Sequence, residues 1–274
     1  MKVGIFDSGT GGMSVLHEAY HLLGDDVSYI FYADLDHVPY GLKTTDQIIK
    51  YSKDIAEFLI KKGVDAIVVA CNTATAAAIE VLRHDYDLPI LGMEPAVKPA
   101  VEETELRKRI LVMATPVTIR EDKLAHLLER VDDYHRVDLL PMPNLVTFAE
   151  NGEFDSENVE SYILERLDNL NISDYQALVL GCTHFNYFKP SFRKIFGSCT
   201  LIIDGNAGTI RHLADICGLK LNDKPDKKVE FSDLSNMLKY GKTEYYISGR
   251  PINDEIYYNK LLTLHNRLEA IREL

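Results

Sequence analysis

Cys71 and Cys182 sit in matching surroundings. Each follows a short apolar run, Ile67-Val68-Val69-Ala70 or Leu178-Val179-Leu180-Gly181, and each precedes polar residues, Asn72-Thr73 or Thr183-His184. Such runs read as buried strands. A thiol at the end of a strand, where a helix begins, meets free backbone N–H groups and the positive end of the helix dipole, which favour thiolate. Asn72 and Thr73 offer hydrogen bonds to a carboxylate. His184 can exchange a proton with Cys182. The competing reading is a buried cysteine packed as a small hydrophobe, with His184 supporting a loop. The repetition of the arrangement favours chemistry. For Cys199, which opens a strand-like run, and Cys217, near the end of a helical pattern, we keep the buried-thiol reading.

The turn Asp7-Ser8-Gly9-Thr10-Gly11-Gly12 is polar and glycine-rich. Its N–H groups could cradle a phosphate, although it matches neither a P-loop nor GxGxxG. Asp7 reads as an acid/base or amine-binding carboxylate, or equally as a cap for the next helix. Pro39-Tyr40-Gly41 is a turn by composition whose N–H groups could hold an anion. Glu150, in Phe148-Ala149-Glu150-Asn151-Gly152, reads as a solvated loop or helix-end residue.

The elements that must position these residues alternate. Apolar runs at Val3–Phe6, Tyr29–Tyr32, Ala66–Ala70, Ile110–Ala114, Arg136–Leu140, Ala177–Leu180 and Leu201–Ile203 read as parallel strands covered on both faces. A helix capped by Thr44 or Thr45, with apolar Ile48, Ile49, Ile55, Phe58 and Leu59, stops at Gly63; another covers Val159–Leu170. The pattern runs twice: a first strand into a polar turn at Asp7 and again at Thr115-Pro116, then a buried strand ending on Cys-Asn-Thr or Cys-Thr-His. This predicts two related α/β lobes whose strand C-termini face one cleft.

The 274 residues suffice for one large α/β domain or two smaller ones, and 46% hydrophobic with 26% charged is ordinary for a globular protein. A net charge of −12 disfavours nucleic acid as a partner. Lys224, Lys227 and Lys228, interleaved with Asp223, Asp226 and Glu230, read as a solvated segment. No run is long enough for a bilayer, and no export signal is visible, so the cytoplasm is the expected location. The four cysteines suggest no disulfide framework, and we read no CxxC or HxxxH pair as a zinc site.

The chain resembles bacterial glutamate racemases. The resemblance spans nearly its whole length and rests on Gly4-Ile5-Phe6-Asp7-Ser8-Gly9-Thr10-Gly11-Gly12, Pro39-Tyr40-Gly41, Ala70-Cys71-Asn72-Thr73-Ala74 and Gly181-Cys182-Thr183-His184-Phe185. Gly92-Met93-Glu94-Pro95-Ala96 and Thr115-Pro116-Val117-Thr118-Ile119 fit more loosely. It implies two pseudo-symmetric doubly wound α/β lobes, 1–93 with 207–274 and 94–206, with the active site between them. It implies glutamate as substrate, a homodimer, and no cofactor or metal. Cys71 would take the α-proton from D-glutamate and Cys182 from L-glutamate, supplying D-glutamate for peptidoglycan. Asp7 would assist Cys71; His184 would assist Cys182, with Glu150 nearby. Asp7, Ser8, Pro39, Tyr40, Gly41, Asn72, Thr73, Thr118, Thr183 and His184 match positions that bind substrate. The chain departs from the family pattern at Tyr32-Ala33-Asp34-Leu35-Asp36, Arg120-Glu121-Asp122-Lys123 and Asp204-Gly205. Aspartate or another amino acid as substrate, a non-catalytic regulatory protein on the same scaffold, and a one-cysteine hydrolase are the alternatives.

Overall fold

The computed structural model describes residues 1–23, 27–223 and 228–274. Two sheets form the frame. The first contains β1 (Lys2–Asp7), β2 (Ser28–Ala33), β3 (Ala66–Val69), β4 (Ile90–Gly92), β9 (Glu244–Ile247) and β10 (Arg250–Pro251); the second contains β5 (Arg109–Ala114), β6 (Val137–Pro141), β7 (Tyr175–Gly181) and β8 (Leu201–Asp204). The orders are β10-β9-β2-β1-β3-β4 and β6-β5-β7-β8. Each lobe thus repeats one winding: second strand, first, third, fourth. All neighbouring pairs are parallel except β9 with β10. The two-lobe α/β architecture expected from the sequence is therefore present.

The alternation of side chains along each strand explains how the layers form. Val3, Ile5, Tyr29, Phe31, Val68, Leu111, Met113, Leu178 and Leu180 face one large core shared by both sheets. The helices Met13–Leu23, Asn206–Cys217 and Glu255–Ala270 add Leu16, Tyr20, Ile210, Leu213, Leu261 and Leu264 to that core. On the opposite face of the first sheet, Phe6, Ile30, Ile67 and Val69 meet Ile48, Ile55 and Leu59 of the helix Thr45–Lys61. On the opposite face of the second, Ile110, Val112, Ala177 and Val179 meet Val97, Ala100 and Leu124. Removing a fully buried aliphatic side chain of this kind from water is worth about 1.5–3 kcal/mol, so the sheets are held by both of their faces.

Local signals set the helix ends. Thr44, not Thr45, caps Thr45–Lys61: its hydroxyl accepts from Gln47 N, and the Gln47 side chain accepts from Thr44 N in return. Gly63, at φ +76°, takes the left-handed turn that ends the helix region. The second expected helix runs Glu157–Leu167, capped by Ser156, and stops short of Leu170. The strand expected at Arg136–Leu140 begins one residue later.

Two expectations about cysteine fail. Cys199 is exposed and Cys217 half-exposed, so neither is a buried thiol. The helix Lys189–Phe196 ends at Gly197, and β8 starts only at Leu201, leaving Cys199 on the connecting turn. Of the expected solvated segment, Asp223, Lys228 and Glu230 are exposed, while Lys224, Asp226 and Lys227 lie outside the described residues. Among the described residues no helix is long and apolar enough to cross a membrane.

Candidate active site

The candidate residues come from equivalent places in the two lobes. Asp7 ends β1 and Thr115 follows β5; these are the first strands of their lobes. Cys71 follows β3 and Cys182 follows β7, the third strands. The first strand lies beside the third in both sheets, so each lobe delivers a polar turn and a cysteine side by side at its carboxyl edge.

Cys71 caps the helix Asn72–Asp85, its sulfur accepting from Ala74 N at 3.4 Å and donating to Ser8 Oγ at 3.4 Å. The helix terminus does not produce a ready thiolate, contrary to the sequence expectation. Burial, reinforced by the charge of Asp7, outweighs the Ser8 and Ala74 hydrogen bonds and pushes the thiol up to about 12. Charge on Cys182 also bears on Cys71, which puts the two sulfurs in one electrostatic neighbourhood.

Asp7 is fully buried. Its carboxylate accepts from Gly9 N at 2.9 Å and from Thr183 Oγ1 at 3.0 Å, so it caps its own turn and also reaches the other lobe. Burial raises its proton affinity against the opposing influence of His184. Ser8 and Asp7 are adjacent, and between them they touch both cysteine neighbourhoods: Ser8 bonds Cys71, and Asp7 bonds the residue after Cys182.

Cys182 Sγ lies 3.8 Å from His184 Nδ1. His184 Nε2 lies 2.7 Å from Glu150 Oε1. Burial alone would discharge this imidazole, but Cys182 and Glu150 flank it and hold its proton affinity well above that of free histidine. Glu150 is not the solvated residue expected from sequence. It ends the helix Asn144–Glu150 with its side chain only 12% exposed. Burial works against its charge, yet His184, Lys260 and Thr10 N bring it down to about 2. Lys260, from the C-terminal helix, donates to the Glu150 carbonyl at 2.8 Å and to Oε2 at 3.1 Å. Cys182, His184⁺, Glu150⁻ and Lys260⁺ form one charged line.

The glycine-rich turn meets this line rather than a phosphate. Thr10 N donates to Glu150 Oε1 at 2.5 Å, and Gly11 N approaches His184 Nε2 at 3.2 Å. A Cβ on Gly9 would stand 2.2 Å from Glu150 Oε1, and one on Gly11 2.4 Å from His184 Nδ1. These glycines are required because the second lobe presses against their backbone.

Threonines line the other side. Thr73 Oγ1 lies 2.8 Å from Thr115 Oγ1 and 3.4 Å from Thr118 Oγ1, joining the lobes through hydroxyls. Asn72 is buried, and its Oδ1 has no hydrogen-bond partner among the described residues. Tyr40 is buried and donates to Asp34 Oδ2 at 2.7 Å, while Ser248 Oγ donates to Asp34 Oδ1 at 3.1 Å. Gly41 backs onto Thr115, where a Cβ would stand 3.1 Å from Thr115 Cβ. Pro39 precedes this turn and is half-buried. All the candidate residues lie in or beside these contacts. Sequence reasoning missed Lys260, Thr115 and Asp34 as participants; only Thr115 carried a local signal, as the cap of the helix Pro116–Arg120.

The arrangement offers a protonated thiol on one side and a sulfur beside a buried imidazole on the other. That combination suits the removal of a proton from one face of a carbon and its replacement from the opposite face.

Residues 7–213 match the family model described as Asp/Glu/Hydantoin racemase. The chain is 46% identical to the glutamate racemase of Lachnospira eligens over 275 aligned residues, covering 100% of each. It is 47% identical to glutamate racemase 2 of Bacillus subtilis, covering 98% of this chain and 97% of that one. The structure of glutamate racemase from Campylobacter jejuni superposes with a TM-score of 0.78 at 29% identity, covering 97% of this chain and 98% of that one. The chain therefore belongs to the Asp/Glu/hydantoin racemase family and is an isomerase.

Proposed function

We propose that this racemase interconverts L- and D-glutamate, without a redox or carbonyl cofactor, by passing the α-proton between the substrate and two thiols. The substrate would lie between a lobe formed by 1–93 with 207–274 and one formed by 94–206. The observation that carries the reading is the pairing itself. Cys71 and Cys182 follow the third strand of their respective lobes, and Asp7-Ser8 touches the surroundings of both.

In the L-to-D direction Cys182 as thiolate takes the α-proton and becomes a thiol. The pair of electrons left on the α-carbon then takes the proton of Cys71 on the opposite face, leaving Cys71 as thiolate. The D-to-L direction reverses both steps. Cys71 donates its hydrogen to Ser8 Oγ, so it stands as a thiol for the first direction. The imidazolium of His184 offsets negative charge on Cys182, and Glu150 holds the ring in place. Asp7, near Cys71, is the group through which that thiol loses its proton when D-glutamate is the substrate. As a carboxylate, Asp7 can also accept a hydrogen bond from the substrate ammonium.

The remaining polar groups hold the substrate in this proposal. Asn72 Oδ1, buried without a partner among the described residues, is an acceptor for the ammonium. Ser8, Thr73, Thr118 and Thr183 supply hydroxyl donors to carboxylates, and His184 adds charge. Pro39, Tyr40 and Gly41 form the turn that closes over the ligand. The product D-isomer would serve peptidoglycan synthesis, and the enzyme would act in the cytoplasm as a homodimer.

The test is racemization with α-proton exchange in deuterated water. The parent should incorporate solvent deuterium at the α-carbon of glutamate. Cys71→Ser and Cys182→Ser should each lose at least about a hundredfold in racemization, the scale on which a positioned acid or base acts. Parent-rate exchange and racemization by both variants would exclude the two-thiol reading. Faster turnover of aspartate than glutamate would overturn the choice of substrate.

A further inference from the structure

The first long helix and the last meet along a buried group of histidines that the proposed reaction does not use. His17 and His21 stand one turn apart on Met13–Leu23; His265 and Glu269 stand one turn apart on Glu255–Ala270. Residues four apart share a helix face, so two pairs face each other. All four residues are buried. Glu269 Oε2 lies 2.8 Å from His17 Nε2 and 2.7 Å from His21 Nε2. The rings of His17 and His265 are 5.0 Å apart.

His265 supplies the decisive detail. Its Nε2–H donates to the Val229 carbonyl at 2.5 Å, which in the neutral ring leaves Nδ1 without a proton. That nitrogen is buried and has no hydrogen-bond partner among the described residues. An orphaned buried acceptor is unfavourable unless something occupies it. Ligating histidines typically hold their second N–H on a backbone carbonyl in this way, which fixes the tautomer and aims the free nitrogen. One donor atom from each of His17, His265 and Glu269 lies within 4.8 Å of the other two.

We propose that His17, His265 and Glu269 bind a divalent transition-metal ion, with zinc the best fit, and that His21 holds the Glu269 carboxylate in position. Two imidazoles and a carboxylate are zinc donors. Donors at about 2.0–2.1 Å in a tetrahedron stand about 3.3 Å apart. That spacing falls between the 2.8 Å contact of His17 with Glu269 and the 4.8 Å limit of the group, so small side-chain rotations suffice. A cavity of about 350 Å³, lined by Ser14, His17, Glu18, Asp204, Leu268 and Arg272 among others, reaches the site at His17, while His265 and Glu269 lie behind its wall.

The ion would be structural. It would clamp the helix that follows the glycine-rich turn to the helix that carries Lys260, and so steady both contacts to Glu150. The sequence reading found no metal site because it passed over His17-Glu18-Ala19-Tyr20-His21, whose carboxylate partner lies 252 residues beyond His17.

The test titrates chelator-treated protein with zinc and with cobalt(II). The parent and a Cys71→Ser/Cys182→Ser variant should each bind one equivalent. The cobalt form should show visible ligand-field bands without the near-ultraviolet thiolate-to-cobalt band, and zinc should raise Tm. His265→Gln and Glu269→Gln should bind at least about tenfold more weakly. Absence of binding by the parent, a thiolate band in its cobalt spectrum, or parent-like affinity in either variant that folds would each overturn the proposal. The parent's own titration and spectrum decide even if neither variant folds.

Discussion

Replacing Glu150 with glutamine should expose how much the charged line at Cys182 contributes to stability. The carboxylate accepts from Thr10 N and Thr10 Oγ1 and meets His184 Nε2 and Lys260 Nζ. Its folded pKa is about 2 against an ordinary 4.5. Because the folded value is the lower one, the contribution is complete above pH 4.5 and declines as pH falls toward 2. At about 1.4 kcal/mol per pH unit, the carboxylate contributes about 3 kcal/mol at pH 7 and about 1.5 kcal/mol at pH 3. Other carboxyl groups titrate over the same range, so the informative quantity is the difference between parent and Glu150→Gln. Urea unfolding at pH 7 and pH 3 should give a gap of about 3 kcal/mol that narrows by about half on acidification. A gap below about 1 kcal/mol at pH 7, or one that does not narrow, would refute the assignment of Glu150 as an anion stabilised by His184 and Lys260.

Two further substitutions probe the turns of the first lobe. Gly11→Ala places a methyl 2.4 Å from both His184 Nδ1 and Thr183 Oγ1; thermal unfolding should show a loss of about 1–3 kcal/mol, and a Tm equal to the parent's would mean that the turn is not pressed against the second lobe. Tyr40→Phe removes the 2.7 Å hydroxyl donor to buried Asp34, which should cost about 1–3 kcal/mol in urea unfolding and raise KM for glutamate more than it lowers kcat. A lowered kcat at unchanged KM would argue that this turn takes part in proton transfer instead of holding substrate.

The parts of the fold that were legible in the sequence were those written locally. Val68-Val69 and Leu111-Val112 are buried on both faces, so their apolar runs stand out. The strand Glu244–Ile247 has no such run and exists by pairing with Ile30–Ala33, far earlier in the chain. It was missed, as were the short strands Ile90–Gly92 and Arg250–Pro251. Cys199 misled because the apolar residues after it do form a strand, yet the strand begins two residues later. At the candidate site, Cys71, Cys182 and Asp7 could be read from the strands they end. Glu150 could not, since its burial depends on Lys260, 110 residues away, and on the turn at Thr10. The protonation of Cys71 was also misjudged: the helix terminus is visible in sequence, while the burial and the Asp7 charge that outweigh it are properties of the assembled site.

The two lobes share one strand order, yet the surroundings of each cysteine include residues of the other lobe. Asp7 of the first lobe takes a hydrogen bond from Thr183 of the second, and His184 of the second packs against Gly11 of the first. Substitutions in the segment 7–12 are therefore judged by residues 150 and 183–184, and the reverse. A hybrid chain that took one half from this protein and the other from a relative would join two intact sheets and still have to match these segments. The halves look like copies of one another, but they can be inherited only as a couple.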